Sequence, residues 1–187
     1  VNLNKKEEFS FDIDAEEIIS AAKSSGARGV IFSNPCNPTS RGLLRDDILK
    51  IINGLPDTLI IVDEAYVDFG AESMVPKTNK YENLLVVQTL SKSRQLAGLR
   101  VGFAIGSPSL IEALERIKNS FNSYTLDRIA QKAAVAAIKD REYFNYTREK
   151  IVRTRENTTV KLRELGFRVL PSKTNFLFIS HEKISGR

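Results

Sequence analysis

Cysteine, histidine and tryptophan are scarce in this chain of 187 residues, which contains one cysteine, one histidine and no tryptophan. The single cysteine, Cys36, excludes an internal disulfide framework and is typical of a reducing compartment, so we expect a cytoplasmic protein. We interpret Cys36 as a small buried side chain and the lone His181 as a surface residue. We expect no metal site.

Long apolar runs and a dominant charge are also lacking. No apolar stretch is long enough to cross a membrane. The 28 lysines and arginines are interleaved with 23 acidic residues, which leaves a formal net charge of +5. This pattern is typical of a solvated surface rather than a nucleic-acid footprint. We therefore expect neither a membrane nor a nucleic-acid partner.

Methionine is scarce as well, and its position is informative. The only methionine is Met74, the chain starts at Val1, and it ends at Arg187 just after an apolar run. We expect the chain to be an internal fragment of a longer protein.

Apolar runs alternate with helical patterns, which predicts an α/β fold with a mainly parallel sheet. The predicted helices cover 12–26, Arg45–Asn53, 108–120, 126–139 and 141–165. The predicted strands cover Gly29–Ser33, Leu59–Val62, Leu84–Val87, Val101–Ile105, 167–170 and 175–179. The late pair of strands predicts a division into a larger domain, 1–140, and a linking helix with the first strands of a smaller, truncated α+β domain, 141–187.

Polar clusters follow three of the predicted strands. They are Asn34–Thr39, Asp63–Tyr66 and Thr89–Lys92. Because ligands bind beyond the carboxyl ends of strands in open α/β sheets, we expect the three clusters to converge on one crevice.

The side chains of these clusters match the chemical groups of pyridoxal 5′-phosphate (PLP). Lys92 supplies an amine that can bond to the aldehyde, which makes it the predicted covalent residue and general acid/base. Asp63 can hold a proton on the pyridine nitrogen. Asn37 and Tyr66 can donate hydrogen bonds to the phenolic oxygen of the ring.

A phosphate group needs hydroxyls and a fork-shaped cation, and three further residues fit that need. They are Thr89, Ser91 and Arg100. The predicted catalytic residues are Lys92, Asp63 and Tyr66, and the predicted cofactor ligands are those three with Asn37, Thr89, Ser91 and Arg100.

At these residues the sequence resembles the fold-type I, class I and II aminotransferases, particularly the histidinol-phosphate aminotransferase group. The motifs that carry the resemblance are Asn34-Pro-Cys-Asn-Pro-Thr39, Val62-Asp-Glu-Ala-Tyr66, Ser91-Lys92 with Leu96-Ala-Gly-Leu-Arg100, and Pro171-Ser-x-x-Asn175-Phe. Their occurrence together and in this order is specific, although each motif alone is weak. Ser40 departs from the pattern, because the family usually has glycine there. If that position needs a positive φ, serine costs about 1 kcal/mol.

The resemblance implies a three-layer sandwich, a homodimer and transamination of an amine, with histidinol phosphate and 2-oxoglutarate favoured. It also implies that a phosphate-binding loop, a ring-stacking aromatic residue and a carboxylate-binding arginine lie outside this chain. The fragment alone is therefore expected to be poorly active or inactive.

Other interpretations remain open. The cofactor-binding residues would equally suit a threonine-phosphate decarboxylase, an aromatic aminotransferase, a β-lyase or a non-catalytic ligand-sensing domain. Taken singly, Asp63 could be a helix cap, Tyr66 a packing residue and Lys92 a solvated cation. The co-occurrence of these residues at strand ends favours function.

Overall fold

The computed structural model describes residues 11–184. The helices are α1 Ala15–Ser25, α2 Arg45–Gly54, α3 Pro108–Phe121, α4 Arg128–Lys139 and α5 Arg141–Glu164. The strands are β1 Gly29–Ser33, β2 Leu59–Asp63, β3 Leu84–Thr89, β4 Gly102–Gly106, β5 Arg168–Val169 and β6 Ile179–Ser180. Short 3-10 helices within residues 11–184 cover Val67–Phe69, Val75–Lys77 and Ala97–Leu99.

Local sequence signals set the helix ends. The Asp14 carboxylate accepts a hydrogen bond from the Glu16 amide at the start of α1, and Gly26 ends the helix at a φ of 63°. Asp127 and Asp140 cap α4 and α5 in the same way. Carboxylates at these positions satisfy amide groups that have no partner within the helix, so the predicted helices form with ends shifted by only a few residues.

The main sheet has four strands in the order β1-β2-β3-β4. The first three strands are parallel, and β4 is antiparallel to β3. This arrangement confirms the predicted α/β class with a mainly parallel sheet.

The hydrophobic core lies between one face of the sheet and the helices α1 and α2. Alternate residues of β2 and β3 face this core, as a period of two requires. The central core side chains are Ile18, Ile19, Ala22, Ile48, Ile51, Ile52, Ile60, Val62, Met74, Leu84 and Val86. On the opposite face Leu59 and Ile61 are only half-buried.

The second, smaller sheet differs from the prediction. β5 and β6 pair antiparallel over two residues each, and residues 175–178 are not a strand. The Phe176 carbonyl instead accepts hydrogen bonds from the Ser172 and Thr174 hydroxyls, at 2.7 and 3.0 Å. Such local side-chain bonds compete with strand pairing, which explains the shortened strand.

Helix α5 contacts both the second sheet and the segment that follows β2. It packs against β5 and also against the 3-10 helix Val67–Phe69. The division at residue 140 into two domains stays a prediction. None of the helices in residues 11–184 combines the length and the apolar character that a membrane span requires.

Candidate active site

The three predicted polar clusters meet at one edge of the main sheet. In the parallel register Ser33 lies opposite Asp63, and Asp63 lies opposite Val87. The Asn34 amide donates to the Asp63 carbonyl and the Glu64 amide donates to the Val87 carbonyl, each at 2.8 Å. The loops that follow β1, β2 and β3 therefore leave the sheet side by side.

The loop after β1 is held by its own buried polar groups. Asn34 is 2% exposed, and its side-chain oxygen accepts a hydrogen bond from the Leu43 amide at 2.7 Å. Ser40 is fully buried at a φ of 60°. The condition under which serine is strained at this position therefore holds. This folded loop presents Asn37 to the neighbouring strand end.

Asn37, Tyr66 and Lys92 form a direct cluster, although they come from three different loops. The Asn37 side-chain amide donates to the Tyr66 hydroxyl at 3.2 Å. The Lys92 Nζ atom lies over the Tyr66 ring, 5.3 Å from its centroid. A lysine ammonium is attracted to the face of an aromatic ring at this distance. The cluster combines an amine, a phenol and an amide at the carboxyl edge of the sheet.

The hydroxyls of Thr89 and Ser91 lie at the start of the Lys92 loop and contact each other. Thr89 Oγ1 donates to Ser91 Oγ at 2.8 Å and accepts from the Ser91 amide at 3.1 Å. Thr89 Oγ1 is also 3.2 Å from the Val101 carbonyl. The loop before β4 is thereby held against the loop that carries Lys92.

Asp63 and Arg100 lie at the same edge but outside the direct cluster. The Asp63 carboxylate accepts a hydrogen bond from the Ala65 amide at 2.9 Å, which is a cap-like role. Arg100 is exposed, has a φ of 54°, and donates to the Ala97 carbonyl at 3.1 Å. Among residues 11–184, neither side chain bonds to Asn37, Tyr66 or Lys92.

Glu64 is a buried acid that the sequence interpretation did not assign to any network. It is 1% exposed. Its carboxylate accepts hydrogen bonds from the Met74 amide at 2.5 Å, the Ser73 hydroxyl at 2.6 Å and the Gln88 side chain at 2.8 Å. Burial raises the pKa of Glu64 above its ordinary value, although these three hydrogen bonds oppose the shift. Since Glu64 directly follows Asp63, its network stabilises the end of β2.

Two residues from the C-terminal part of the chain also reach this region. The Phe176 ring meets the Tyr66 ring edge-on, with the centroids 5.1 Å apart. Arg155 is 9% exposed and donates to the carbonyls of Phe69 and Thr174, at 2.9 and 2.8 Å. The sequence offered a signal only for Phe176, through the motif around Asn175. Arg155 lies among other arginines of α5, and nothing in the pattern distinguishes it.

His181 and Cys36 do not join the cluster. The His181 ring packs on Phe167 with the centroids 4.8 Å apart, and its Nδ1 atom accepts from the Lys183 amide at 3.0 Å. Cys36 is a free, half-buried cysteine. Within residues 11–184, no group of three or more histidine, cysteine or acidic side chains could hold a metal ion.

Comparison with known proteins identifies related chains. Histidinol-phosphate aminotransferase 1 from Bordetella parapertussis is 55% identical over 171 residues, covering 91% of this chain and 48% of the relative. Histidinol-phosphate aminotransferase from Clostridium acetobutylicum is 54% identical over 180 residues, covering 96% and 49%. The chain thus spans about half the length of the curated relatives it matches.

A solved structure and a family model agree with these relatives. The histidinol-phosphate aminotransferase from Sinorhizobium meliloti, solved in complex with pyridoxal 5′-phosphate, superimposes with a TM-score of 0.83 at 28% identity, over 91% of this chain and 46% of that one. The family model described as aminotransferase class I and II matches residues 1–183. Because that match extends over nearly the whole sequence, the chain belongs to the class I and II aminotransferase family.

Proposed function

We propose that the whole protein is a PLP-dependent aminotransferase in which Lys92 bonds covalently to the cofactor. The observation that carries this proposal is the contact of Asn37, Tyr66 and Lys92 at the carboxyl edge of the sheet. Family membership supports the same activity. The favoured amine donor is histidinol phosphate, with 2-oxoglutarate as the acceptor, because the relatives at 54–55% identity carry that name.

The donors and acceptors of the site fit PLP group by group. Lys92 offers a primary amine for the aldehyde, and Asp63 offers a carboxylate for the pyridine nitrogen. The Tyr66 hydroxyl accepts the hydrogen bond from Asn37. Its own proton therefore remains available for the ring oxygen of the cofactor.

The residues that we propose to bind the cofactor phosphate are those that the sequence predicted. Thr89 and Ser91 present adjacent hydroxyls beside the Lys92 loop. Arg100 lies at the same edge, because its neighbour Val101 accepts hydrogen bonds from the Leu90 amide and the Thr89 hydroxyl. The Arg100 guanidinium would exchange its contact with the Ala97 carbonyl for the phosphate, which offers a charge-assisted, bidentate partner.

Three side chains would serve the reaction once the cofactor is bound. When bound, PLP supplies an electron sink for the electron pair of the substrate Cα–H bond. The Lys92 amine, released when the substrate amine replaces it on the cofactor, would take the proton from that carbon and deliver it to the cofactor carbon that carried the aldehyde. Asp63 would hold a proton on the ring nitrogen, and the Tyr66 hydroxyl would donate a hydrogen bond to the ring oxygen.

A spectroscopic comparison tests the role of Lys92. The whole protein with added PLP should show a visible absorption band from the lysine-bound cofactor, and Lys92→Ala should abolish it. Lys80→Ala is the matched control, since the Lys80 Nζ atom also lies over a tyrosine ring, 5.4 Å from the Tyr81 centroid. A band that persists in Lys92→Ala would exclude the proposal.

Product analysis tests the substrate. The whole protein should convert histidinol phosphate and 2-oxoglutarate to a keto product and glutamate. Release of carbon dioxide from threonine phosphate, or turnover of aromatic amino acids alone, would instead favour one of the alternative PLP reactions. Absence of any turnover, with the cofactor bound, would favour a ligand-sensing role.

Assembly, location and domain division are further parts of the proposal. We infer a homodimer, which the exposed apolar side chains of α3 support; these are Leu114, Ile117 and Phe121. We also infer a cytoplasmic location and a division at residues 140 and 141, where α5 begins. Sedimentation of the whole protein at several concentrations tests the dimer.

A further inference from the structure

The loops that carry Tyr66 and Lys92 are joined by side chains beyond the point where strand pairing ends. The Glu64 amide makes the last backbone bond of this kind, to the Val87 carbonyl. Past that point Gln88 donates to Glu64 at 2.8 Å. Farther out, the Ser93 hydroxyl donates to the Asp68 carboxylate.

The hydrogen bond between Ser93 and Asp68 lies close in sequence to both Lys92 and Tyr66. Ser93 directly follows Lys92, and Asp68 lies in the 3-10 helix Val67–Phe69 that begins directly after Tyr66. Ser93 is only 3% exposed. A hydrogen bond from a hydroxyl to a carboxylate is stronger than a hydrogen bond between neutral groups. The bond therefore fixes the backbone beside Lys92 relative to the backbone beside Tyr66.

Arg94 holds the same loop against α4 and α5. Its guanidinium lies 3.6 Å from the Phe144 ring centroid and donates to the Ala137 carbonyl at 2.5 Å. Partial burial lowers the pKa of Arg94, while the carboxylates of Asp68 and Asp140 oppose that shift. Arg94 thus links the loop to α4 and α5, whereas the bond from Ser93 to Asp68 links it to the segment that directly follows Tyr66.

We propose that Asp68 and Ser93 are a positioning pair, which holds the Lys92 amine at the distance from Tyr66 that bonding to the cofactor aldehyde requires. This inference rests on the proposed role of Lys92. Neither residue is assigned a contact with substrate or cofactor, so both act through Lys92.

The test compares two ligands that differ at one group. PLP carries the aldehyde that bonds to Lys92. Pyridoxamine 5′-phosphate carries an amine there and cannot form that bond, although its ring and phosphate offer the same contacts to Asp63, Tyr66 and the phosphate ligands. A positioning defect at Lys92 should therefore weaken PLP binding selectively, whereas general damage to the site should weaken both ligands alike.

The variants are Asp68→Ala, Ser93→Ala and their combination in the whole protein. We expect each single variant to weaken PLP binding about tenfold, with pyridoxamine 5′-phosphate binding changed less than about twofold. The double variant should be no worse than either single variant, because both remove the same hydrogen bond. Asp68→Asn keeps an acceptor for the Ser93 hydroxyl and should restore most of the PLP affinity.

Controls separate the possible failures. Asp57→Ala removes an exposed carboxylate in the turn between α2 and β2 and should leave both affinities unchanged. Lys92→Ala should abolish the preference for PLP; if it does not, the proposed function fails, and the positioning role fails with it. If Lys92→Ala behaves as expected but the Asp68 and Ser93 variants weaken both ligands equally, or neither, the positioning role alone is overturned.

Discussion

The rings of Tyr66 and Phe176 meet edge to face, with their centroids 5.1 Å apart and their planes at 90°. Tyr66 belongs to the loop after β2, and Phe176 belongs to the segment between β5 and β6. The same Tyr66 accepts a hydrogen bond from Asn37 and lies beneath Lys92. Its orientation is therefore set by three segments that are distant in sequence, one of them outside the main sheet.

A double-mutant cycle between these rings should detect their contact. Edge-to-face aromatic pairs contribute about 0.5–1.5 kcal/mol beyond the area they bury. We expect a coupling of that size between Tyr66→Leu and Phe176→Leu in urea unfolding of the whole protein. Tyr66→Phe keeps the ring and should keep the coupling. A coupling close to zero would show that the two rings are merely adjacent.

Asp63→Asn should leave the fold intact while lowering turnover of the whole protein. The asparagine side-chain oxygen can still accept the hydrogen bond that the Ala65 amide now donates to the Asp63 carboxylate. What the variant loses is the negative charge that holds a proton on the cofactor nitrogen. We expect kcat to fall by about 100-fold or more, with an unchanged unfolding midpoint. Near-normal turnover would contradict the proposed role of Asp63.

Much of the fold was predictable because the relevant signals are local. Asp14 and Gly26 bound α1 as their side-chain chemistry and backbone freedom predict. The apolar runs of β2 and β3 end at Asp63 and Thr89, so the carboxyl edge of the sheet could be read from the sequence. Ser40 was identified through a motif position that favours glycine, and its φ of 60° agrees.

The remaining features depend on contacts that no local pattern encodes. Asp68 and Ser93 are 25 positions apart, and each alone is an ordinary polar loop residue. Residues 175–178 have the apolar character of a strand, but the hydroxyls of Ser172 and Thr174 capture the Phe176 carbonyl. The motif predicted Arg100 as a phosphate ligand, but no local pattern predicted that its guanidinium donates a hydrogen bond to the neighbouring Ala97 carbonyl.

The stability of the protein should depend on pH through Glu64. Burial raises the pKa of Glu64 in the folded state, so the folded state takes up a proton at a higher pH than the unfolded chain does. The buried, ionised Glu64 therefore lowers the free energy of unfolding at neutral pH. This free energy rises as the pH falls through the folded-state pKa of Glu64, and the rise is complete below about 4.3, the ordinary glutamate pKa.

Glu64→Gln removes this titration and makes it measurable. The free energy of unfolding of the wild type, relative to that of Glu64→Gln, should rise as the pH is lowered from neutral toward about 4.3, and then level off. Glu82→Gln removes an exposed carboxylate and should show no such rise. A difference that stays constant, or that falls with decreasing pH, would show that the pKa of Glu64 is not raised.

Arg155 should be the most sensitive arginine of α5. Its guanidinium donates to the carbonyls of Phe69 and Thr174, which belong to residues with no exposed surface. Arg155→Met preserves much of the side-chain volume but leaves both buried carbonyls without this donor. We expect the free energy of unfolding to fall by about 3 kcal/mol, because each unsatisfied buried acceptor costs about 1–3 kcal/mol.

The neighbouring Arg153 provides the matched control, since it is exposed on the same helix. Arg153→Met should change the free energy of unfolding by less than about 0.5 kcal/mol. Arg155→Lys keeps the charge but cannot direct two donors to two carbonyls as a guanidinium does, so an intermediate loss is expected. The salt bridge to Glu156 adds little, because that carboxylate is largely exposed. Equal losses for Arg155→Met and Arg153→Met, measured by urea unfolding of the whole protein, would show that Arg155 does not hold Phe69 and Thr174 together.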